Sequence, residues 1–316
     1  LYIIDTLKNI FNQTDKRWHI LIIDDCSTSH KALNFLKSLE KKYFDKIKII
    51  YKEKNEGAGK SRNIGVNYAF KNKYPFILFN DADDISHEKR LEVTRKIFIE
   101  DAEANVVYST FKIIDEKNQY VSKDKVTPSV LEILEAHENN PPQGKNLWID
   151  IGTKTGYINL TSVTSVKTDL AYNNPFPEES ISEDAHTWMR YSAAGGKFVY
   201  SPEIPGLYRI PQNSSGSSSR SRAKTKNDFY KKMILNNTDG FKKSINLAMK
   251  NNTIDSSITD DLLIKFHIKF AETLLRENLT ELAFTEIKNA ENISKDKTEE
   301  LIINNTKFNI LKELIK

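Results

Sequence analysis

A single cysteine, Cys26, stands in 316 residues, which excludes an intrachain disulfide framework and suits a reducing compartment. Long apolar runs are also missing: the longest are strand-sized, so neither a secretory leader nor a membrane-spanning helix is expected. No sign of charge dominates. With 47 basic against 43 acidic residues the net charge is +4, which argues against a dedicated nucleic-acid surface and leaves room only for a local basic patch that meets anionic lipid. The length accommodates one large domain with an appendage, or two domains.

What is there begins with helical spacing: Ile3, Ile4, Leu7, Ile10 and Phe11 share one face. Residues 18–23 form an apolar, β-branched run that ends on Asp24-Asp25-Cys26-Ser27-Thr28, a buried strand with an acidic lip. A helix over 31–42 and a strand over 46–51 follow. This strand, helix, strand alternation predicts a parallel sheet with right-handed crossovers. The loop Asn55-Glu56-Gly57-Ala58-Gly59-Lys60-Ser61-Arg62-Asn63 opens a helix reaching about Phe70, and free N–H groups at its start would attract an anion. It lacks the upstream glycine of a P-loop.

Residues 75–79 are a second apolar strand running straight into Asn80-Asp81-Ala82-Asp83-Asp84, at the lip where open α/β sheets bind ligands. Asp81 and Asp83, separated by a small residue, can reach one cation in a tight loop. Alone, such an Asp-x-Asp is more often a polar turn. Further on, a helix is expected over 88–101, an antiparallel pair from 106–108 and 111–114, and a half-exposed strand beside the cleft over 156–166. Ser182 is expected to cap a helix carrying Glu183 and Asp184 in its first turn. A strand over 197–201, Tyr208-Arg209-Ile210 and a serine-rich basic segment at 213–222, with the composition of a mobile loop, complete this part. From 223 the chain reads as helices, with Phe266, Phe270, Leu274 and Leu275 on one apolar face and Leu282, Ile287 and Ala290 on another.

Asp24-Asp25 after a strand, the glycine-bearing loop with Arg62-Asn63-x-Gly65, Asp81-x-Asp83 and Glu183-Asp184 stand in an order that resembles the family 2 glycosyltransferases, inverting enzymes of the GT-A fold. The resemblance covers about residues 1–222. It implies an α/β fold, a Rossmann-like, mostly parallel mixed sheet flanked by helices, as a GT-A domain over 1–222 followed by an all-α region over 223–316. It implies that Asp25, with Asp24, accepts the N–H of a uracil or thymine base and that Arg62 flanks the base or the diphosphate. Asp81 would approach the ribose and, with Asp83, hold Mn2+ or Mg2+ against the donor phosphates. Asp184 would be the general base, with Glu183 orienting acceptor or base. Apart from the resemblance, loop logic lets Arg220 and Arg222 close over the diphosphate as a lid when the serine-rich segment orders, with a solvated linker the competing reading, and more so for Arg222 than for Arg220.

The chemistry asks for the same set. A nucleoside diphosphate leaves only if its charge is neutralised, and the incoming hydroxyl needs a carboxylate to take its proton. The expected activity is transfer of a sugar from a nucleotide-sugar donor, UDP-linked, to a glycan or lipid-linked acceptor in bacterial surface polysaccharide synthesis. The expected location is cytoplasmic, with the inner face of the plasma membrane as a peripheral site. Two departures from the family pattern stand out. The family's first strand, with its Pro-x-Tyr-Asn-like turn, would lie ahead of residue 1, so the domain reads as N-terminally truncated. No Gln-x-x-Arg-Trp stretch of the processive synthases is present, so transfer of one or few residues is expected. Two rival readings are a non-catalytic glycan- or partner-binding module and a sugar nucleotidyltransferase. His186 reads as a core or exposed histidine rather than a metal ligand, and Trp148 and Trp188 as core at least as readily as sugar-stacking rings.

Overall fold

β1 (Ile20–Asp24) and β2 (Ile47–Tyr51) run parallel, in register from Ile20 opposite Ile47 to Asp24 opposite Tyr51, as the strand, helix, strand alternation predicts. The structure is a computed structural model that describes residues 1–126, 128–179, 181–212, 222–304 and 311. α1 (Ile3–Phe11) and α2 (His30–Lys42) cover this strand pair, burying Leu7, Leu36 and Leu39 against Ile47 and Ile49. The Ser29 hydroxyl caps α2 by accepting from the Ala32 N–H.

α3 (Ala58–Lys71) carries the chain to β3 (Phe76–Leu78), which joins a different sheet, ordered β3-β6-β4-β7. That sheet is mixed. β6 (Thr164–Lys167) lies antiparallel to β3 and to β4 (Ala104–Tyr108), and β7 (Lys197–Tyr200) pairs with β4 in parallel. The expected antiparallel pairing of 106–108 with 111–114 does not form. β6 and β7 already fill both edges of β4, so β5 (Phe111–Ile114) pairs instead with β8 (Gly206–Arg209), in parallel. Residues 156–166 also depart from expectation. Only the stretch from Thr164 is strand, and it is the buried interior of the sheet. The Thr164 hydroxyl is satisfied internally, donating to the Leu160 carbonyl and accepting from Asn159 Nδ2, so an apolar–hydroxyl alternation here does not mean a wet face.

Between β1 and β3 the backbone ladder is interrupted. Residues 20–23 and 76–78, expected to be fully buried strands, are only half-buried and line a shared cavity of about 770 Å3. Around the sheets lie α4 (Arg90–Glu100), α5 (Pro128–Asn139), α6 (Leu147–Asp150) with a following π-helical turn Ile151–Thr155, α7 (Thr168–Asn173) and α8 (Glu183–Ala193).

The C-terminal region is helical, as its sequence predicts: α9 (Lys226–Lys250), α10 (Thr259–Arg276), α11 (Thr280–Glu291) and α12 (Lys295–Asn304). α9 lies along α8, and Phe241 of α9 stacks on Phe266 at 4.7 Å and packs against Trp148 at 5.4 Å. One continuous apolar core thus runs from the sheet into the helical region. Gly152 is required where they meet, because a Cβ there would stand 2.2 Å from the Phe241 ring.

Candidate active site

The site begins where β3 ends. Phe79 is buried edge-on against Phe176, and the chain then turns sharply through Asn80 to Asp84. Three elements brace the turn. Ser162 accepts from the Asp81 N–H at 2.9 Å, Thr6 of α1 donates to the Asp84 carbonyl at 2.8 Å and to that of Ala82 at 3.0 Å, and Arg209 of β8 donates through Nε to the Asp83 carbonyl at 2.8 Å. The three carboxyls therefore meet different surroundings. Asp84 is buried, with Oδ1 accepting from the Arg209 N–H and Oδ2 without a hydrogen-bond partner among the described residues. Burial, reinforced by Asp81 and Asp83, pushes it well above the usual carboxylate range. Asp83 is half-buried and is also pushed up, by burial and then by the Asp81 charge. Asp81 is the more open of the three, its side chain 42% exposed.

Arg62 reaches this turn from the second turn of α3. Its guanidinium donates to Asp81 Oδ1 at 2.9 Å and to Glu183 Oε1 at 3.0 Å, over the face of Phe176. Burial opposes its charge, but Asp81 and Glu183 together hold it above its ordinary value. The adjacent Asn63 locks the same region, its amide donating to the Phe176 carbonyl and its oxygen accepting the Phe176 N–H. Arg62, Asp81 and Glu183, far apart in sequence, are thus brought together.

Glu183 and Asp184 open α8, but not by the expected cap. Ser182 has left-handed backbone (φ 62) and makes no capping bond; its hydroxyl instead meets Tyr157 Oη at 2.6 Å and accepts from Asn237 Nδ2 at 2.9 Å. Asp184 accepts from its neighbour's N–H, that of Ala185, at 2.8 Å. Burial, with Glu183 beside it, raises its carboxyl to about 7. His186 points the other way, into the core, bonding Asp239 at 2.8 Å and accepting from Arg190 at 3.0 Å; burial, then Arg190, lower it to about 4.

At the other end of the site Asp25 follows β1. The N–H groups of Glu56 and Gly57, at the start of α3, are already directed at an anion, the Asp25 carboxylate, at 3.0 and 2.8 Å, and Lys52 joins them. Burial opposes ionisation, yet these donors bring Asp25 below its ordinary value. Asp24 is buried and accepts the Ser27 N–H, closing the turn after the strand. The cavity between β1 and β3 is lined by Asp25, Gly57, Arg62, Asp81 and Arg222 in common.

Not all expected residues arrive here. Trp148 and Trp188 are wholly buried in the core, so neither ring is available to a sugar. Arg220 lies outside the described residues. Thr6, Tyr157, Asn236 and Asn237, none singled out from the sequence, and Arg209, named there only within Tyr208-Arg209-Ile210, support the turns that carry the acidic groups. Among the described residues no group of three or more His, Cys, Asp or Glu is arranged to hold a metal by itself, and no helix is long and apolar enough to cross a membrane.

With this geometry in place, residues 1–163 match the family model described as glycosyl transferase family 2. The uncharacterized glycosyltransferase MJ1057 of Methanocaldococcus jannaschii is 30% identical over 68% of this chain and 68% of its own length. The putative teichuronic acid biosynthesis glycosyltransferase TuaG of Bacillus subtilis is 25% identical over 71% of this chain and 79% of its own. Of the Rickettsia felis and Rickettsia conorii glycosyltransferases it also matches, the chain spans 18% of the length. The structure of S. aureus TarS 1–349 in complex with UDP superposes with a TM-score of 0.53 at 16% identity, covering 96% of this chain and 88% of that one, and so shares the fold.

Proposed function

The chain belongs to glycosyl transferase family 2 and has its GT-A fold, and from that premise we propose that it catalyses metal-dependent, inverting transfer of a sugar from a nucleotide-diphosphate donor, UDP-linked, to a glycan or lipid-linked hydroxyl in surface polysaccharide synthesis. The observation that carries the proposal is the bridge from Asp81 through Arg62 to Glu183, which ties the donor end of the site to the helix turn bearing Asp184. Residues 1–222 supply the transferase and 223–316 a helical extension packed on it. The polysaccharide assignment rests on the teichuronic acid relative and the choice of UDP on the structural neighbour solved with it.

In this reading Asp25 and Asp24 face the base. Three donors occupy Asp25, but a carboxylate has about four lone-pair sites, so it retains capacity for the imide N–H. Arg62 holds Asp81 toward the ribose and neutralises the diphosphate end, and Arg222, which lines the same cavity, adds positive charge there. Asp83, with Asp81, would hold Mn2+ or Mg2+. The residues suit such an ion: burial, and then neighbouring aspartate charge, push Asp83 and Asp84 above the ordinary carboxylate range, Asp84 Oδ2 has no hydrogen-bond partner among the described residues, and Arg209 spends its Nε on a backbone carbonyl. With only these carboxylates from the chain, oxygens of the donor diphosphate would supply the remaining ligands. A hard cation so held would supply positive charge for the leaving diphosphate.

Asp184 then takes the proton of the acceptor hydroxyl as the new C–O bond forms at the anomeric carbon and the sugar–phosphate bond breaks. One displacement inverts the centre. A carboxyl raised to about 7 is a far better base than an ordinary aspartate and is still substantially ionised at neutral pH. Glu183, engaged by Arg62, fixes the turn rather than competing for the proton.

Calorimetric titration with UDP, with and without Mn2+, tests the donor end: the metal should strengthen binding, and Asp83→Ala should remove that gain. Equal binding by the variant would sink the metal assignment. Asp184→Asn should bind UDP normally and lose transfer.

A further inference from the structure

The Ile181–Ser182 turn is held in a conformation that its own sequence disfavours. Serine before a helix ordinarily adopts extended backbone and caps it with its hydroxyl, whereas Ser182 sits in the left-handed region, where a side chain is strained. What holds it there comes from elsewhere. Asn237 Nδ2 of α9 donates to the Ser182 hydroxyl at 2.9 Å, and Tyr157 meets the same oxygen at 2.6 Å. Asn236 Nδ2, next on α9, donates to the Ile181 carbonyl at 2.9 Å. Both asparagines are buried, and Gly240, one turn on, lets α9 approach so closely that a Cβ there would meet His186 at 2.8 to 3.0 Å. The helical extension thus grips the first turn of α8 at the two residues immediately before Glu183 and Asp184.

We propose that Asn236 and Asn237 are positioning residues for the transfer reaction, holding Ser182 out of its capping conformation so that Asp184 faces the acceptor and Glu183 meets Arg62. The proposal rests on Asp184 being the base. If the asparagines are removed, Ser182 can relax to an ordinary cap, and the two acidic side chains rotate with the turn. A displacement of about 1 Å in a reacting group is enough to cost about 100-fold in rate. Donor binding at Asp25 is remote from both asparagines, so UDP affinity should fall by no more than a few-fold, through the loosened contact of Glu183 with Arg62.

The test measures transfer and UDP binding in Asn237→Ala, Ser182→Ala and Ser182→Gly, with Asp184→Asn alongside. Asn237→Ala should lower kcat by about 10- to 100-fold while UDP affinity and donor KM change by no more than about three-fold, and should shift the acid limb of the kcat–pH profile. Glycine adopts the left-handed region freely, so Ser182→Gly should stay within a few-fold of the parent while Ser182→Ala falls with Asn237→Ala. Adding Ser182→Gly to Asn237→Ala should recover part of the lost rate. Parental kcat in Asn237→Ala, or equal losses in the glycine and alanine variants at Ser182, overturns the positioning role. Undiminished transfer by Asp184→Asn instead overturns the base assignment itself.

Discussion

Arg62 and Glu183 are 121 positions apart in the chain and 3.0 Å apart in the fold, and the same guanidinium holds Asp81 at 2.9 Å. A single cation thereby sets the distance between the turn after β3 and the start of α8. Arg62→Ala leaves two carboxylates facing each other. Transfer should fall about 100-fold or more, measured as kcat/KM. Stability should fall by about 1–3 kcal/mol in thermal unfolding, less than for a fully buried pair because Asp81 is 42% exposed. Arg62→Lys should recover little, since a point charge cannot hold both partners in a fork.

Asp184 sets a pH dependence whose sign is fixed by its raised carboxyl. As a base it must be ionised, so kcat should fall as pH drops through about 7, and Asp184→Asn should abolish that limb together with activity. Stability runs the opposite way. The folded state binds the proton more tightly than the unfolded one, so this group's contribution is fully present below pH 4 and is lost as pH rises to about 7. Urea denaturation across that window should show the parent losing stability relative to Asp184→Asn.

Thr6 carries the support of the acidic turn across to α1. Thr6→Val keeps the shape and removes the hydroxyl that donates to the Ala82 and Asp84 carbonyls. A loss of about 1 kcal/mol is expected, and Mn2+-dependent UDP binding should weaken more than binding without metal. Equal weakening of both would detach Thr6 from the metal side.

The joint between the sheet region and the helical extension is tightly packed at Gly152. Gly152→Ala forces a methyl against Phe241, whose ring is wedged between Trp148 and Phe266, and should destabilise the protein by about 1–3 kcal/mol in thermal unfolding. Gly65→Ala, with open space at its Cβ and ordinary helical backbone, is the control and should be neutral or slightly stabilising.

Much of this was legible in the chain. The parallel β1–β2 unit followed from an apolar run, a polar-faced helix and a second run, because period and length are local properties. The acidic lip after β3 could be read too, since an apolar strand ends where its polar residues begin. Pairing was harder. The antiparallel pair expected of β4 and β5 failed because which strand fills an edge depends on segments a hundred residues away. Thr164 misled for a related reason: a hydroxyl is exposed or buried according to the partner it finds, and Leu160 and Asn159 supplied one.

The sequence by itself determined the kinds of groups and their order: carboxylates at the ends of apolar strands, an arginine at a helix start, an acidic pair in the first turn of a late helix. Hydrophobic periodicity and the need to end a buried strand on polar residues write that order into the chain. Tertiary structure alone decided what each group does. Three adjacent aspartates became one open, one half-buried and one sealed carboxyl because Ser162, Thr6 and Arg209 bind different parts of one turn. Ser182 gave up its cap because α9 arrives with two buried amides. Burial and long-range partners set protonation and backbone conformation, and neither is a property of a residue and its neighbours in sequence.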